Sequence, residues 1–352
     1  MRFRSLFLFL ICLPVAVVAQ KSVNDTVTVI GVGDIMMGSN YPNAVLPPQN
    51  GAFLMKEVEH VLRNADVTFG NLEGTLLDTG GKAKTCKDPK VCYAFRSPVS
   101  YVQNLVSAGF DVMSIANNHA GDFGDVGRES TIKTLEGAGI FHAGQLPRRF
   151  VTFEKNGVRF GLAAFAPNSN CISVNDITTA TSIVKEMEAV CDIVIISFHG
   201  GAEGGQYQNV PRKHEPFHGE DRGDVYNFSH KLIDAGADIV FGHGPHVTRA
   251  VEVYKNRFIA YSLGNFCTYG GINVAGINGW APIIKVFANG KGGFIKAEIT
   301  PTYQIARDRV KIDTDKRVIK KIQDLTKKDF PEVPIRIDDN GLITYIANQD
   351  GL

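Results

Sequence analysis

Ile193-Val194-Ile195-Ile196-Ser197-Phe198-His199-Gly200-Gly201 is a β-branched, apolar run that ends by delivering an imidazole into a glycine turn. Ile239-Val240-Phe241-Gly242-His243-Gly244-Pro245-His246 does the same with two imidazoles. Val112-Met113-Ser114-Ile115-Ala116 leads into Asn117-Asn118-His119, and Val29-Ile30-Gly31-Val32-Gly33 leads into Asp34. Runs this apolar read as strands buried on both faces. Chemistry-bearing residues at the ends of such strands are the signature of an α/β protein, which places its ligands beyond the carboxyl ends of its strands.

Working outward, strands are expected at 26–32, 66–70, 112–116, 150–153, 158–164, 193–198 and 238–241. Helices are expected at 56–64, 98–108, 122–139, 180–189 and 226–235, three of them stopped by Gly109, Gly139 and Gly236. The segments 251–254, 258–262, 283–288 and 294–299 read as a late run of antiparallel strands. Strand and helix alternate early and strands dominate late, so the expectation is a mixed α/β sandwich in one domain spanning 20–352. The stretch 77–97 is polar and glycine-rich and reads as a long excursion. The basic segment from Lys316 to Lys328 reads as a solvated helix face.

The first residues have the form of an export signal over 1–19. Arg2 and Arg4 precede an apolar run from Leu6 to Val18, and Val17-Val18-Ala19 suits a small-residue cleavage site. The run is short of the roughly 20 residues a membrane span needs. An exported protein, in the periplasm, the envelope or outside the cell, is expected. The chain of 352 residues carries 37 Lys and Arg against 36 Asp and Glu, a balance that offers no footprint for nucleic acid. Export permits disulfides. Cys86 and Cys92 flank a turn-like segment and are expected to pair, with Cys191 a buried free thiol.

The residue types at the strand ends define the chemistry. Asp34, Glu73, Asn118, His199, His243 and His246 offer carboxylate, amide and imidazole donors and no thiolate. That set suits one or two divalent ions such as Mn, Zn or Fe in a catalytic rather than a structural site. Gly244-Pro245 between the last two histidines provides the turn that lets both rings converge. His119, beside Asn118, is the candidate proton donor or oxyanion stabiliser, with Asp122 orienting it. Asn71, Glu203, Arg222 and Arg249 are the candidate substrate contacts. Arg249 is the stronger of the two arginines for bidentate pairing with a carboxylate or phosphate.

These motifs, in this order, resemble the CapA family, named for capsule and poly-γ-glutamate biosynthesis. The resemblance runs from Gly33-Asp34-Ile35-Met36-Met37-Gly38 through Asn71-Leu72-Glu73-Gly74 to Ala116-Asn117-Asn118-His119-Ala120-Gly121-Asp122. It continues through Phe198-His199-Gly200-Gly201-Ala202-Glu203 and Gly242-His243-Gly244-Pro245-His246-Val247 to Tyr261-Ser262-Leu263-Gly264-Asn265-Phe266. That family is similar in fold to the calcineurin-like metallophosphoesterases. The resemblance therefore implies two central sheets flanked by helices, in α-β-β-α layers. It assigns Asp34 to the first metal aspartate, Asn118 to the asparagine ligand and His119 to the catalytic histidine. His199, His243 and His246 take the three remaining imidazole positions.

Two positions depart from the phosphoesterase pattern. Met36 stands where a histidine is usual, and Asn71 follows Gly70 where a bridging aspartate is usual. Only Asp34 and Glu73 then supply charge, which favours one tightly held ion over a full pair. Three functions follow. The first is a metal-dependent envelope enzyme acting on an amide or γ-glutamyl polymer. The second is a phosphoesterase. The third is a non-catalytic component that binds polymer within a membrane capsule-synthesis complex.

Overall fold

The computed structural model describes residues 26–86 and 92–346. The export signal expected over 1–19 lies outside the described residues. In chain order the principal strands begin with β1 (Thr26–Met36), β2 (Val67–Leu72), β3 (Val112–Ser114), β4 (Phe141–Ala143), β5 (Phe150–Lys155) and β6 (Val158–Phe165). They continue with β7 (Ile193–His199), β8 (Ile239–His243), β9 (Val251–Tyr254), β10 (Arg257–Ala260) and β11 (Asn265–Thr268). The last are β12 (Trp280–Asn289), β13 (Phe294–Tyr303), β14 (Lys311–Ile312), β15 (Ile335–Ile337) and β16 (Leu342–Tyr345). The helices are α1 (Glu59–Leu62), α2 (Val102–Ala108), α3 (Gly124–Gly137), α4 (Ile177–Glu188), α5 (Val225–Asp234) and α6 (Arg317–Asp329).

The strands form two large sheets. The first runs β15-β16-β13-β12-β1-β2-β3-β4, with β11 also on β1 and β14 on β13; the second runs β9-β10-β8-β7-β6-β5. In the first, β1, β2, β3 and β4 are parallel. In the second, β6, β7, β8 and β10 are parallel.

Side chains alternate across a strand, so each sheet has two apolar faces to bury. Val27, Val29, Val67 and Phe69 of one sheet meet Phe160, Leu162, Ile195 and Phe241 of the other in a shared core. Phe69 stacks on Phe241, with ring centroids 5.4 Å apart. The outer face of the first sheet is covered by α1, α2 and α3 through Leu62, Leu105 and Leu135. The outer face of the second is covered by α4 and α5 through Ile183, Val184, Phe228 and Leu232. The layering is α-β-β-α, as the resemblance implied.

Three expectations need correction. The late antiparallel run is two hairpins in different sheets: β9 with β10 in the second, β12 with β13 in the first. The helix expected over 56–64 narrows to the single turn of α1 among irregular turns. The basic C-terminal helix is more than a solvated face: α6 buries Val318, Ile319 and Ile322 in the central core and Leu325 under the second sheet. Charged residues at its polar positions hid that stripe from a reading by charge.

Cys86 and Cys92 are joined in a disulfide. Cys171, Cys191 and Cys267 are free, and Cys191 is half-buried rather than buried. Among the described residues, no helix is long and apolar enough to cross a membrane.

A candidate metal centre at the strand ends

Parallel strands point their carboxyl ends the same way, so β1, β2 and β3 of one sheet and β7 and β8 of the other present their last residues at one edge of the sandwich. Register fixes the neighbours. Asp34 sits opposite both Asn71 and Asn265, and His243 sits opposite His199.

Gly33 makes the approach of β1 possible: a Cβ there would lie 1.9 Å from the Gly264 carbonyl oxygen. Asp34 N–H donates to that same carbonyl at 2.8 Å. The turn after β8 places His246 in the left-handed region at φ 56°. Asn265 braces that turn by donating from Nδ2 to the His246 carbonyl at 3.1 Å.

Asp34 is fully buried and anchors the cluster. Its Oδ1 accepts from Asn71 Nδ2 at 2.8 Å and lies 3.1 Å from His243 Nδ1. Its Oδ2 lies 3.0 Å from His246 Nδ1. On the far side of that ring, His246 Nε2 is 3.5 Å from Glu73 Oε1. Donor atoms of Asp34, Glu73 and His246 all lie within 4.8 Å of one another. The His199 and His246 rings stand 6.0 Å apart.

Around this trio several buried atoms make no hydrogen bond to any described residue. They are both carboxylate oxygens of Glu73, both ring nitrogens of His199, Nε2 of His243 and Oδ1 of Asn118. Buried polar groups are normally satisfied, and leaving one without a hydrogen bond costs a few kcal/mol. Most of these atoms are lone-pair donors. One cation satisfies many of them at once, so the residues present fit a divalent ion.

Protonation agrees. Burial holds His199 well below the usual histidine range, which keeps the ring neutral and the lone pair of one ring nitrogen free. Burial would raise Asp34, but its bonds to His243 and His246 hold it well below the usual carboxylate range. Burial drives Glu73 well above that range, against the opposing pull of His246. Burial would lower His246, yet Glu73 and Asp34 together lift it to about 10.

His119 lies beside this cluster. Its Nδ1 is 2.8 Å from Asp122 Oδ2, and its ring packs against Phe95 with centroids 4.3 Å apart. Asp122 is itself held by Lys84 Nζ at 2.6 Å and by the Phe95 N–H at 2.6 Å. Nδ1 is thereby committed and Nε2 is the ring nitrogen left to act. Burial lowers His119, and Asp122 partly offsets the shift.

The expected substrate contacts divide. Arg249 is corrected: it is 1% exposed and grips Glu215 with both terminal nitrogens, at 2.8 and 2.7 Å. Its Nε donates to the Tyr207 carbonyl at 2.9 Å. It holds the loop after β7, and the fork that would grip a ligand carboxylate is spent on Glu215. Asn71 is corrected too. Its Nδ2 serves Asp34, and its Oδ1 accepts from Asn117 Nδ2 at 3.1 Å, so it positions Asp34. Arg222 pairs with Glu203 through Nη1 alone, at 2.7 Å. Its Nε and Nη2 are buried without a described partner. The weaker arginine by sequence is therefore the one with a free edge.

Reading the sequence missed Lys84, Asn117, Glu215 and Asn265 as supports. Asn117 and Asn265 stand inside the quoted motifs, so adjacency to Asn118 and to the Gly264 turn was an available signal. Lys84 and Glu215 come from loops far along the chain, and no local pattern marks them.

Known proteins share both the sequence pattern and the fold. The model of the family described as bacterial capsule synthesis protein PGA_cap matches residues 28–269. The capsule biosynthesis protein CapA of Bacillus anthracis is 29% identical over 262 residues, covering 69% of this chain and 60% of that protein. The PGA biosynthesis protein CapA of Bacillus subtilis (strain 168) is 28% identical over 259 residues, covering 69% of this chain and 63% of that protein. The chain thus spans about three fifths of the length of these relatives. A hypothetical protein from Thermus thermophilus shares the fold: TM-score 0.50, 15% identity, 79% of this chain and 100% of that one. The matched span runs from within β1 to the end of β11 and takes in every candidate ligand from Asp34 to His246, and the chain belongs to the PGA_cap family of bacterial capsule synthesis proteins.

Proposed function

We propose that this chain is an exported, metal-dependent enzyme of capsule or poly-γ-glutamate metabolism, acting on a γ-glutamyl amide bond. The observation that carries the proposal is the set of buried atoms without a hydrogen bond, the Glu73 carboxylate oxygens, the His199 ring nitrogens and His243 Nε2, around Asp34 and His246. Asp34, Glu73, His199, His243 and His246 would hold the ion, with Asn118 Oδ1 beside them. A bound divalent ion supplies Lewis-acid polarisation of a substrate carbonyl oxygen.

The protein's own groups do the rest. Asp122 and Lys84 hold His119 through Nδ1 and leave the Nε2 lone pair to take a proton from the attacking water as its oxygen bonds the carbonyl carbon; the same proton then passes to the departing nitrogen as the C–N bond breaks. Phe95 packs on the same ring and fixes its plane. Export is supported by the basic-then-apolar start of the sequence and by the Cys86–Cys92 disulfide, which suits an oxidising compartment.

The test measures metal content of the purified protein, then product release from γ-glutamyl peptides and from a generic phosphodiester. Metal with γ-glutamyl product supports the proposal, and product from the phosphodiester alone replaces it with a phosphoesterase. If His243→Ala keeps its function in the cell with neither metal nor activity, a polymer-binding assembly role replaces both enzyme readings.

A further inference from the structure

Arg222 is 3% exposed and its backbone is clamped on both sides. Its carbonyl accepts from the Gly201 N–H at 2.8 Å, in the turn that follows His199, and its N–H donates to the Glu215 carbonyl at 3.0 Å. The side chain spends one nitrogen, Nη1, on Glu203. Nε–H and Nη2–H lie on the other edge of the guanidinium and point the same way. This pair grips two oxygens of one carboxylate side-on.

The Arg222 carbonyl is bonded into the turn that directly follows His199, which sets the residue beside the candidate ligands, and its charge acts on both Glu73 and His199. A buried arginine edge with no described partner is costly to keep, and a ligand anion relieves the cost. Glu203 already neutralises part of the charge, so a monoanionic carboxylate matches the remainder better than a dianionic phosphate does.

A γ-glutamyl chain has one chemical peculiarity. Each amide nitrogen is bonded to a carbon that carries a free α-carboxylate. An α-linked peptide has no carboxylate there, because that carboxyl is itself the next amide. A metal centre that polarises the amide carbonyl, with an arginine fork beside it, reads this arrangement directly.

We infer that the Nε/Nη2 edge of Arg222 is a carboxylate clamp that binds the α-carboxylate next to the reacting amide and so selects γ-linked over α-linked glutamyl substrates. Glu203 acts as its positioning residue. The inference rests on the proposed γ-glutamyl chemistry for the ligand's identity, while the clamp itself stands on the geometry.

The test is calorimetric titration of the metal-loaded protein with γ-glutamylglutamate, with the α-carboxamide analogue of its second residue, and with inorganic phosphate. Wild type is expected to bind the carboxylate about a hundredfold more tightly than the carboxamide, the worth of two charge-assisted hydrogen bonds. Arg222→Gln removes that preference, with metal content unchanged. Should R222Q fold poorly, R222K replaces it: it keeps the cation, loses the fork and is expected to lose most of the preference.

Equal binding of carboxylate and carboxamide by wild type overturns the clamp. So does a preference that survives in both variants, or Arg222-dependent binding of phosphate without binding of the carboxylate. A preference that depends on Arg222 in a protein that turns over no γ-glutamyl bond supports the clamp and rejects the proposed reaction.

Discussion

Replacing Arg249 by alanine separates a structural arginine from a ligand-binding one. Arg249 makes two bonds to Glu215, one to the Tyr207 carbonyl and one to the Ala202 carbonyl at 3.3 Å. Glu215 is 5% exposed and, without Arg249, keeps only the Ala202 N–H at 3.1 Å. Removing one partner of a buried ion pair costs roughly 3–5 kcal/mol, because the other charge stays buried and unpaired. Two carbonyls also lose donors, at about 1 kcal/mol each where water cannot replace them. R249A should therefore lose about 4 kcal/mol or more in urea unfolding followed by circular dichroism. The double variant R249M/E215M should recover most of that loss, since apolar replacement of a whole buried pair is close to neutral. A stability loss below about 1 kcal/mol together with lost affinity for carboxylate ligands would refute the reasoning and return Arg249 to the ligand.

Four further outcomes are expected. Metal binding at pH 7.5 should release protons, because His246, lifted to about 10 in the cation-free cluster, must give up its proton to ligate; calorimetry in buffers of different ionisation enthalpy counts them. His246 is raised, so its stabilising contribution is full below about pH 6.5 and fades as pH rises toward 10. Thermal melts in EDTA should fall across that window, and His246→Ala should flatten the fall. Asp122→Asn should lower turnover of γ-glutamyl peptides about a hundredfold with metal content unchanged, since it unsettles the His119 proton. Cys86→Ser opens a loop with a sequence separation of 6 and should cost about 2 kcal/mol in unfolding free energy, reproduced in wild type by reduction.

Much of the fold was legible because buried parallel strands are written as continuous apolar runs, and the residues that end them are the ones the site needs. Asp34, His199, His243 and His246 could be found that way. The allegiance of a hairpin to one sheet or the other was not legible: Val251–Tyr254 and Trp280–Asn289 have similar patterns, and only tertiary packing assigns them. The two arginines show a second limit. Arg249 follows the histidine pair closely and so resembled a ligand residue, but its partner Glu215 lies 34 residues away in sequence. Burial and partners decide what an arginine does, and neither is written locally. The role of Lys84 depends in the same way on a fold-back that brings its ammonium to Asp122.

The measurement that tests the central claim most directly is the divalent metal retained per chain after equilibrium dialysis, compared between wild type and Glu73→Gln. E73Q keeps the shape of the side chain and removes only its charge, so a loss cannot be put down to an empty space in the core. The strand-end centre predicts stoichiometric metal on wild type and an affinity at least tenfold weaker in E73Q, with a far-ultraviolet spectrum unchanged. Wild type that retains no metal, or E73Q that retains it as tightly as wild type, would contradict it.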